Sequence, residues 1–176
     1  MLVSVFIATS LDGFIARPDG AIDWLPAGDG SGEDYGYQEF MDSVDTLVMG
    51  RNTYEMARSF GAWPYAGKPV VVLSTRPVAI PAEIADSVEA MSAPPDEVVR
   101  RLAARGARHL YIDGGKTIQG FLAAGLVSQM IITRVPVLLG SGLPLFGPLP
   151  QDVHLRHTET RSYADGLVQS RYAVAR

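Results

Sequence analysis

The sequence predicts an α/β fold in which a mostly parallel sheet is covered on both faces by helices and finished by antiparallel strands. Three observations predict it. Apolar runs rich in β-branched residues recur at residues 2–8, 46–49, 70–73, 109–112, 127–135 and 167–174, most of them short enough to be strands buried in a sheet. Helical patterns separate several of these runs, and alternating strand and helix implies parallel strands beneath covering helices. From Val127 onward the helical period disappears, and Ala164–Asp165–Gly166 divides two strand patterns as a hairpin turn would.

The elements follow in chain order. LVSVFIA (2–8) reads as the first strand; it is too short to span a membrane, lacks a basic leader, and runs into Ser10, Asp12 and Gly13. Residues 33–44 place Tyr37, Phe40, Met41 and Val44 on one side of a helix. The strand at 46–49 leads into a helix over 52–60 that stops at Gly61, and the strand at 70–73 follows. A helix over 95–105 is introduced by Ser92, Pro94 and Pro95 and stops at Gly106. The strand at 109–112 precedes a helix over 116–124, which stops at Gly125. Two long loops, 10–32 and 136–150, have the length of functional lids or interface elements.

Composition narrows the function. The 176 residues are expected to form one domain over 1–176, and 47% hydrophobic with 19% charged residues fits an ordered protein. A net charge of −4 argues against a nucleic-acid or anionic-membrane surface and points to a small-molecule partner. The chain has no cysteine, which removes disulfides, thiol nucleophiles and cysteine-ligated metals, so redox chemistry would need a borrowed cofactor. A cytoplasmic location is expected. His154 and His157, three apart in a predicted strand, face opposite sides and make a poor metal pair; they and His109 are expected at surfaces or edges. Phe14, Trp24, Tyr54 and Trp63 could line a flat pocket or simply pack between loop and sheet.

Three strand-to-helix or strand-to-loop junctions concentrate anion-binding chemistry. Strand 46–49 runs into Gly50–Arg51–Asn52–Thr53, strand 70–73 into Ser74–Thr75–Arg76, and strand 109–112 into Gly114–Gly115–Lys116–Thr117. Each offers a small residue for close backbone approach, a hydroxyl and a cation, and parallel strands should bring all three to one sheet edge, where such folds bind ligands. A phosphorylated dinucleotide would span them, with a pyrophosphate at Gly114–Gly115 and a ribose phosphate at Arg76, favouring NADP over NAD. The alternative is that the cations pair with nearby carboxylates and that Asn52 and Glu55 merely cap a helix.

The segments SLDGFIA (10–16), MGRNTYE (49–55), VVLSTRP (71–77), IDGGKTIQGFL (112–122) and ITRVPVLLGSGLPLFG (132–147) together resemble the dihydrofolate reductase superfamily. Most closely they resemble its branch similar to the reductase domain of bacterial riboflavin biosynthesis. The resemblance implies a dihydrofolate-reductase-like three-layer fold and NADPH as hydride donor. It implies that Ala8 and Ile15 flank the nicotinamide and that Gly50, Arg51 and Thr53 hold phosphates. Leu73, Ser74, Thr75 and Arg76 would surround the adenosine end, and Asp113, Gly114, Gly115, Lys116, Thr117 and Ile118 would cradle the pyrophosphate. The 136–148 loop looks like the riboflavin-type branch, whose members are commonly homodimers.

The resemblance also supplies catalytic candidates. The family's proton-donating carboxylate corresponds to Asp34, and the accompanying threonine to Thr133; Asp34 could instead close a capping box with Ser31, and Glu33 lies as near the apolar face. Lys68 replaces the arginine that grips the folate tail, which argues against folate itself. Asp113 stands where folate reductases have glycine, either to bond substrate or to cap the next helix. The implied activity is reduction of a small heterocycle, pterin- or pyrimidine-like. The alternatives are a 5-amino-6-(5-phosphoribosylamino)uracil reductase and a non-catalytic NADP(H)-binding dimer.

Overall fold

Nearly every apolar run becomes a strand because both of its faces are buried. The computed structural model describes residues 1–26 and 33–175. Its strands are β1 (Leu2–Ser10), β2 (Phe14–Ala16), β3 (Thr46–Gly50), β4 (Val70–Leu73), β5 (Val88–Met91), β6 (His109–Asp113), β7 (Gln129–Val135), β8 (Leu143–Pro144), β9 (Leu155–Ser162) and β10 (Val168–Val174). Its helices are α1 (Tyr37–Ser43), α2 (Arg51–Ser59), α3 (Pro95–Ala104) and α4 (Gly115–Ala123). Eight strands form one sheet in the order β5-β4-β3-β6-β1-β7-β10-β9, and β2 pairs with β8 in a separate two-stranded sheet. The six strands from β5 to β7 are parallel to their neighbours; β10 runs antiparallel to β7, and β9 antiparallel to β10.

Strand alternation divides the core into two layers. Val5, Val48, Val71, Leu110, Ile112 and Met130 face α3 and α4, where Val98, Leu102, Ile118 and Phe121 meet them. Leu47, Met49, Val70, Val72, Tyr111 and Ile131 face the opposite way, against Phe40 and Met41 of α1 and Tyr54 of α2. Burying one such side chain contributes about 1.5–3 kcal/mol, so this double burial outweighs the weak intrinsic preference of runs as short as four residues. Among the described residues no helix is long and apolar enough to cross a membrane.

The structure corrects several expectations. The helix expected over 33–44 covers only Tyr37–Ser43, because Tyr35 (φ 56°) and Gly36 (φ 76°) turn left-handed ahead of it. Helix α2 begins at Arg51 with Gly50 as its N-cap, so Asn52 sits inside the first turn. Strand β5, VEAM, was not predicted: Glu89 and Ala90 are exposed and interrupt any apolar run, and the strand forms because β4 offers it an edge. Ser31 lies outside the described residues. His109 is buried, not at an edge; its Nε2 lies 2.7 Å from Ser4 Oγ and its Nδ1 2.8 Å from the Ser43 carbonyl oxygen.

Candidate active site

Strand order decides which junctions become neighbours. Strands β4, β3, β6 and β1 are consecutive and parallel, so the turns leaving their carboxyl ends line one edge of the sheet. Across that edge stand Ser74–Thr75–Arg76 after β4, Gly50–Arg51–Asn52–Thr53 after β3, Gly114–Gly115–Lys116–Thr117 after β6, and the 11–13 turn between β1 and β2.

The middle two turns interlock. Gly114 has φ +90°, and a Cβ there would collide with Thr53 Oγ1; a Cβ on Gly50 would stand 2.9 Å from Thr117 Oγ1, and one on Gly115 2.8 Å from Ile15 Cδ1. A side chain is excluded at Gly114 and would need a neighbour to shift at Gly50 and Gly115, and neither α2 nor α4 has a side-chain N-cap. The open N–H groups and dipoles of both helices converge on one small region, flanked by the Thr53 and Thr117 hydroxyls. This donor set fits a pyrophosphate. Arg51 pairs with Glu55 at 3.5 Å. Among the described residues Arg76 and Lys116 have no carboxylate in salt-bridge range. Ser74 Oγ donates to the Arg76 carbonyl at 2.7 Å and accepts from the Arg76 N–H at 3.1 Å, folding the turn that presents this exposed arginine. Thr75 is exposed beside it, whereas Leu73 packs against the core. Ile118 is fully buried and its N–H is already bonded to Gly114 O, so it supports the turn from below.

A second cluster lies on the α1 face of the same edge. Asp113 pairs with Met49 across β3 and shares a sheet face with Tyr111 and Phe6. Burial pushes its carboxyl up to about 6, against the opposing pull of the Gly114 N–H, which Oδ1 accepts at 2.8 Å. Nearby phenols respond in kind: burial first, then the Asp113 charge, raises Tyr37 to about 12 and lifts Tyr65 and Tyr111 further. One strand pair away, half-buried Ala8 stands opposite buried Thr133. Gln169 Nε2 donates to Thr133 Oγ1 at 3.0 Å and to the Tyr35 carbonyl at 2.9 Å. Because Thr133 Oγ1 accepts there, its own proton is directed elsewhere.

Asp34 is exposed, and its carboxylate serves the helix start: Oδ1 accepts from the Gly36 N–H and Oδ2 from the Gln38 N–H, both at 2.9 Å. Those backbone bonds hold its pKa below the ordinary carboxylate value. Lys68 Nζ donates to the Val44 carbonyl at 2.6 Å, at the opposite ends of the strands. Of the four aromatic candidates, Tyr54 belongs to the core and bonds the Ala79 carbonyl at 2.8 Å. Trp63 packs edge-on between Tyr54 and Tyr65, half-buried Trp24 has a covered indole N–H without an acceptor among the described residues, and Phe14 belongs to β2. Sequence reasoning missed Gln169 and Tyr65. Gln169 carries no local signal beyond a polar residue on an inward position of a strand, readable only once the strand's facing is known.

Comparison with known proteins gives the family and the fold. The model of the RibD C-terminal domain family matches residues 2–169. YwjB, an uncharacterized protein of Bacillus subtilis strain 168, is 36% identical over 97% of each chain. A crystal structure from Shewanella sp. PV-4, named provisionally for riboflavin biosynthesis, is 43% identical, covers both chains fully and superposes with a TM-score of 0.94. A Thermotoga maritima diaminohydroxyphosphoribosylaminopyrimidine deaminase/5-amino-6-(5-phosphoribosylamino)uracil reductase shares the fold at 16% identity, with a TM-score of 0.75 over 99% of this chain and 56% of that one.

Proposed function

Because the chain belongs to the RibD C-terminal domain family, we propose that it is an NADPH-dependent reductase of a small heterocyclic, pterin- or pyrimidine-like substrate. The observation that carries this reading is the interlocked pair of glycine turns after β3 and β6, with Arg76 one strand further on. Gly50, Arg51, Thr53 and Gly114 to Thr117 would hold the phosphates, Ser74, Thr75 and Arg76 the adenosine end, and Ala8 and Ile15 the nicotinamide. NADPH, when bound, supplies the hydride.

The proton is assigned to Asp113. Its carboxyl is protonated below about pH 6, and Oδ2 is the oxygen not occupied by the Gly114 N–H, so it can donate to a basic atom of the substrate. Thr133, fixed as an acceptor toward Gln169, presents its hydroxyl proton to a substrate oxygen or nitrogen. Asp34, held ionised by its two backbone N–H donors, orders α1 in this scheme. Lys68, engaged with Val44, leaves the folate-tail role unfilled, which favours a substrate smaller than folate. A second copy of the chain is proposed to cover the apolar side chains exposed on the 136–150 loop.

Titration with NADPH and NADH, followed by tryptophan fluorescence or thermal shift, tests the cofactor reading. NADPH should bind more tightly than NADH, and Arg76→Ala should weaken NADPH about tenfold or more while leaving NADH nearly unchanged. Binding of neither nucleotide would overturn it.

A further inference from the structure

Asp12 lies exposed on the turn between β1 and β2 and is not one of the residues assigned to a phosphate. Its carboxylate is nonetheless fully engaged. Oδ1 accepts from Ser10 Oγ at 2.6 Å and from the Leu139 N–H at 3.1 Å, and Oδ2 accepts from the Gly140 N–H at 2.7 Å. These donors, Ser10 foremost, hold its pKa below the ordinary value. Ser10 Oγ in turn accepts from the Phe14 N–H at 2.9 Å. One carboxylate thus joins the first long loop to the second.

The joined loops build a cover over the phosphate turn. Leu145 N donates to Gly13 O at 3.1 Å, and β2 pairs with β8 through Phe14↔Pro144 and Ala16↔Leu143. From α4, Gln119 Nε2 donates to the carbonyls of Pro144 at 3.0 Å and Leu145 at 3.2 Å. This small sheet places Ile15 against Gly115, where a Cβ would stand 2.8 Å from Ile15 Cδ1 and oblige it to move. Sheet order gives the cover its meaning. With a ribose phosphate at the β4 turn and a pyrophosphate between the β3 and β6 turns, the remaining end of a dinucleotide falls at the β1 turn, beside Ile15.

We propose that Asp12 is a positioning residue: by anchoring Leu139 and Gly140 it holds Ile15 against the Gly114–Gly115 turn and so shapes the site for the nicotinamide end of NADPH. The inference rests on the cofactor reading above. Asp12→Asn keeps the shape, but its amide nitrogen opposes one of the backbone donors; Ser10→Ala cuts the same web at the Phe14 N–H.

Wild type and both variants are titrated with NADPH and with 2′,5′-ADP, which carries the adenosine end and its ribose phosphate but no nicotinamide. Each variant should lose about tenfold in NADPH affinity and stay within about twofold for 2′,5′-ADP. The fluorescence shift of bound NADPH should shrink, and without nucleotide the Phe14, Leu139 and Gly140 amides should exchange faster with deuterium. The double variant should be no worse than the single variants, because both cut one web. Unchanged NADPH affinity, or equal losses for both ligands, would overturn the role of Asp12. If wild type binds neither ligand, the cofactor reading falls and this inference with it; if wild type binds both and the variants match it, only the role of Asp12 falls.

Discussion

Asp113 sits on a sheet face with Phe6 and Tyr111 and beside Met49, and burial pushes its carboxyl up to about 6 from the ordinary 3.8. The folded state therefore favours the proton. Below about pH 3 the group is protonated whether the chain is folded or not and imposes no penalty. The penalty grows as pH rises from about 4 to 6 and is complete above. Asp113→Asn, neutral throughout, should be more stable than wild type by roughly 1–3 kcal/mol at pH 8 and about equal to it at about pH 3, as read by urea unfolding. Equal stability at both pH values would mean that the carboxylate is well solvated. The sequence marked Asp113 as a carboxylate ahead of Gly–Gly, but its raised pKa was not legible there. The apolar surroundings come from β1, β3 and α1, far away in the chain. The same reason hid Gln169, whose meaning lies in the two groups it bridges, Thr133 and Tyr35.

Helix starts were read well at α3 and α4 and misread at α1 and α2. Gly114 and Gly115 announce α4 correctly, and the tight contact with Thr53 explains why glycine is needed at 114: the φ of +90° and the lack of space both exclude a side chain. Gly114→Ala should destabilise the fold by about 1–3 kcal/mol. Adding Thr53→Ala should recover only the part due to the collision, leaving the backbone strain, and thermal melts of Gly114→Ala, Thr53→Ala and the double variant would separate the two. If Gly114→Ala melts with wild type, the turn is looser than described. Helix α1 was read too long at its start because Ser31 and Asp34 offer a capping-box pattern there, whereas Tyr35 and Gly36 turn left-handed and delay the helix to Tyr37. A helical wheel registers side-chain spacing but not the sign of φ. Strand β5 was missed because an edge strand takes its stability from its neighbour and needs no apolar run of its own.

At the scale of the whole molecule, three phosphate-ready turns and the β1 turn stand in a row only because β3 and β6 come between β4 and β1. The 136–150 loop closes over one end of that row and exposes Leu138 at 69% and Phe146 at 48% of their surfaces. Large apolar groups so exposed fit the proposed second copy. Leu138→Asp should shift the proposed dimer to monomer in sedimentation velocity without unfolding it; wild type sedimenting as a monomer would remove that proposal. By itself the sequence determined the α/β class, most of the strands, the positions of the glycine turns and the cationic junctions, because these follow from local periodicity and from what glycine alone permits. Tertiary structure decided which junctions are adjacent, that His109 is buried, and that Asp12 ties two loops together. Each of these depends on partners distant in the chain, and pairing across a sheet leaves no local trace in the residues that take part.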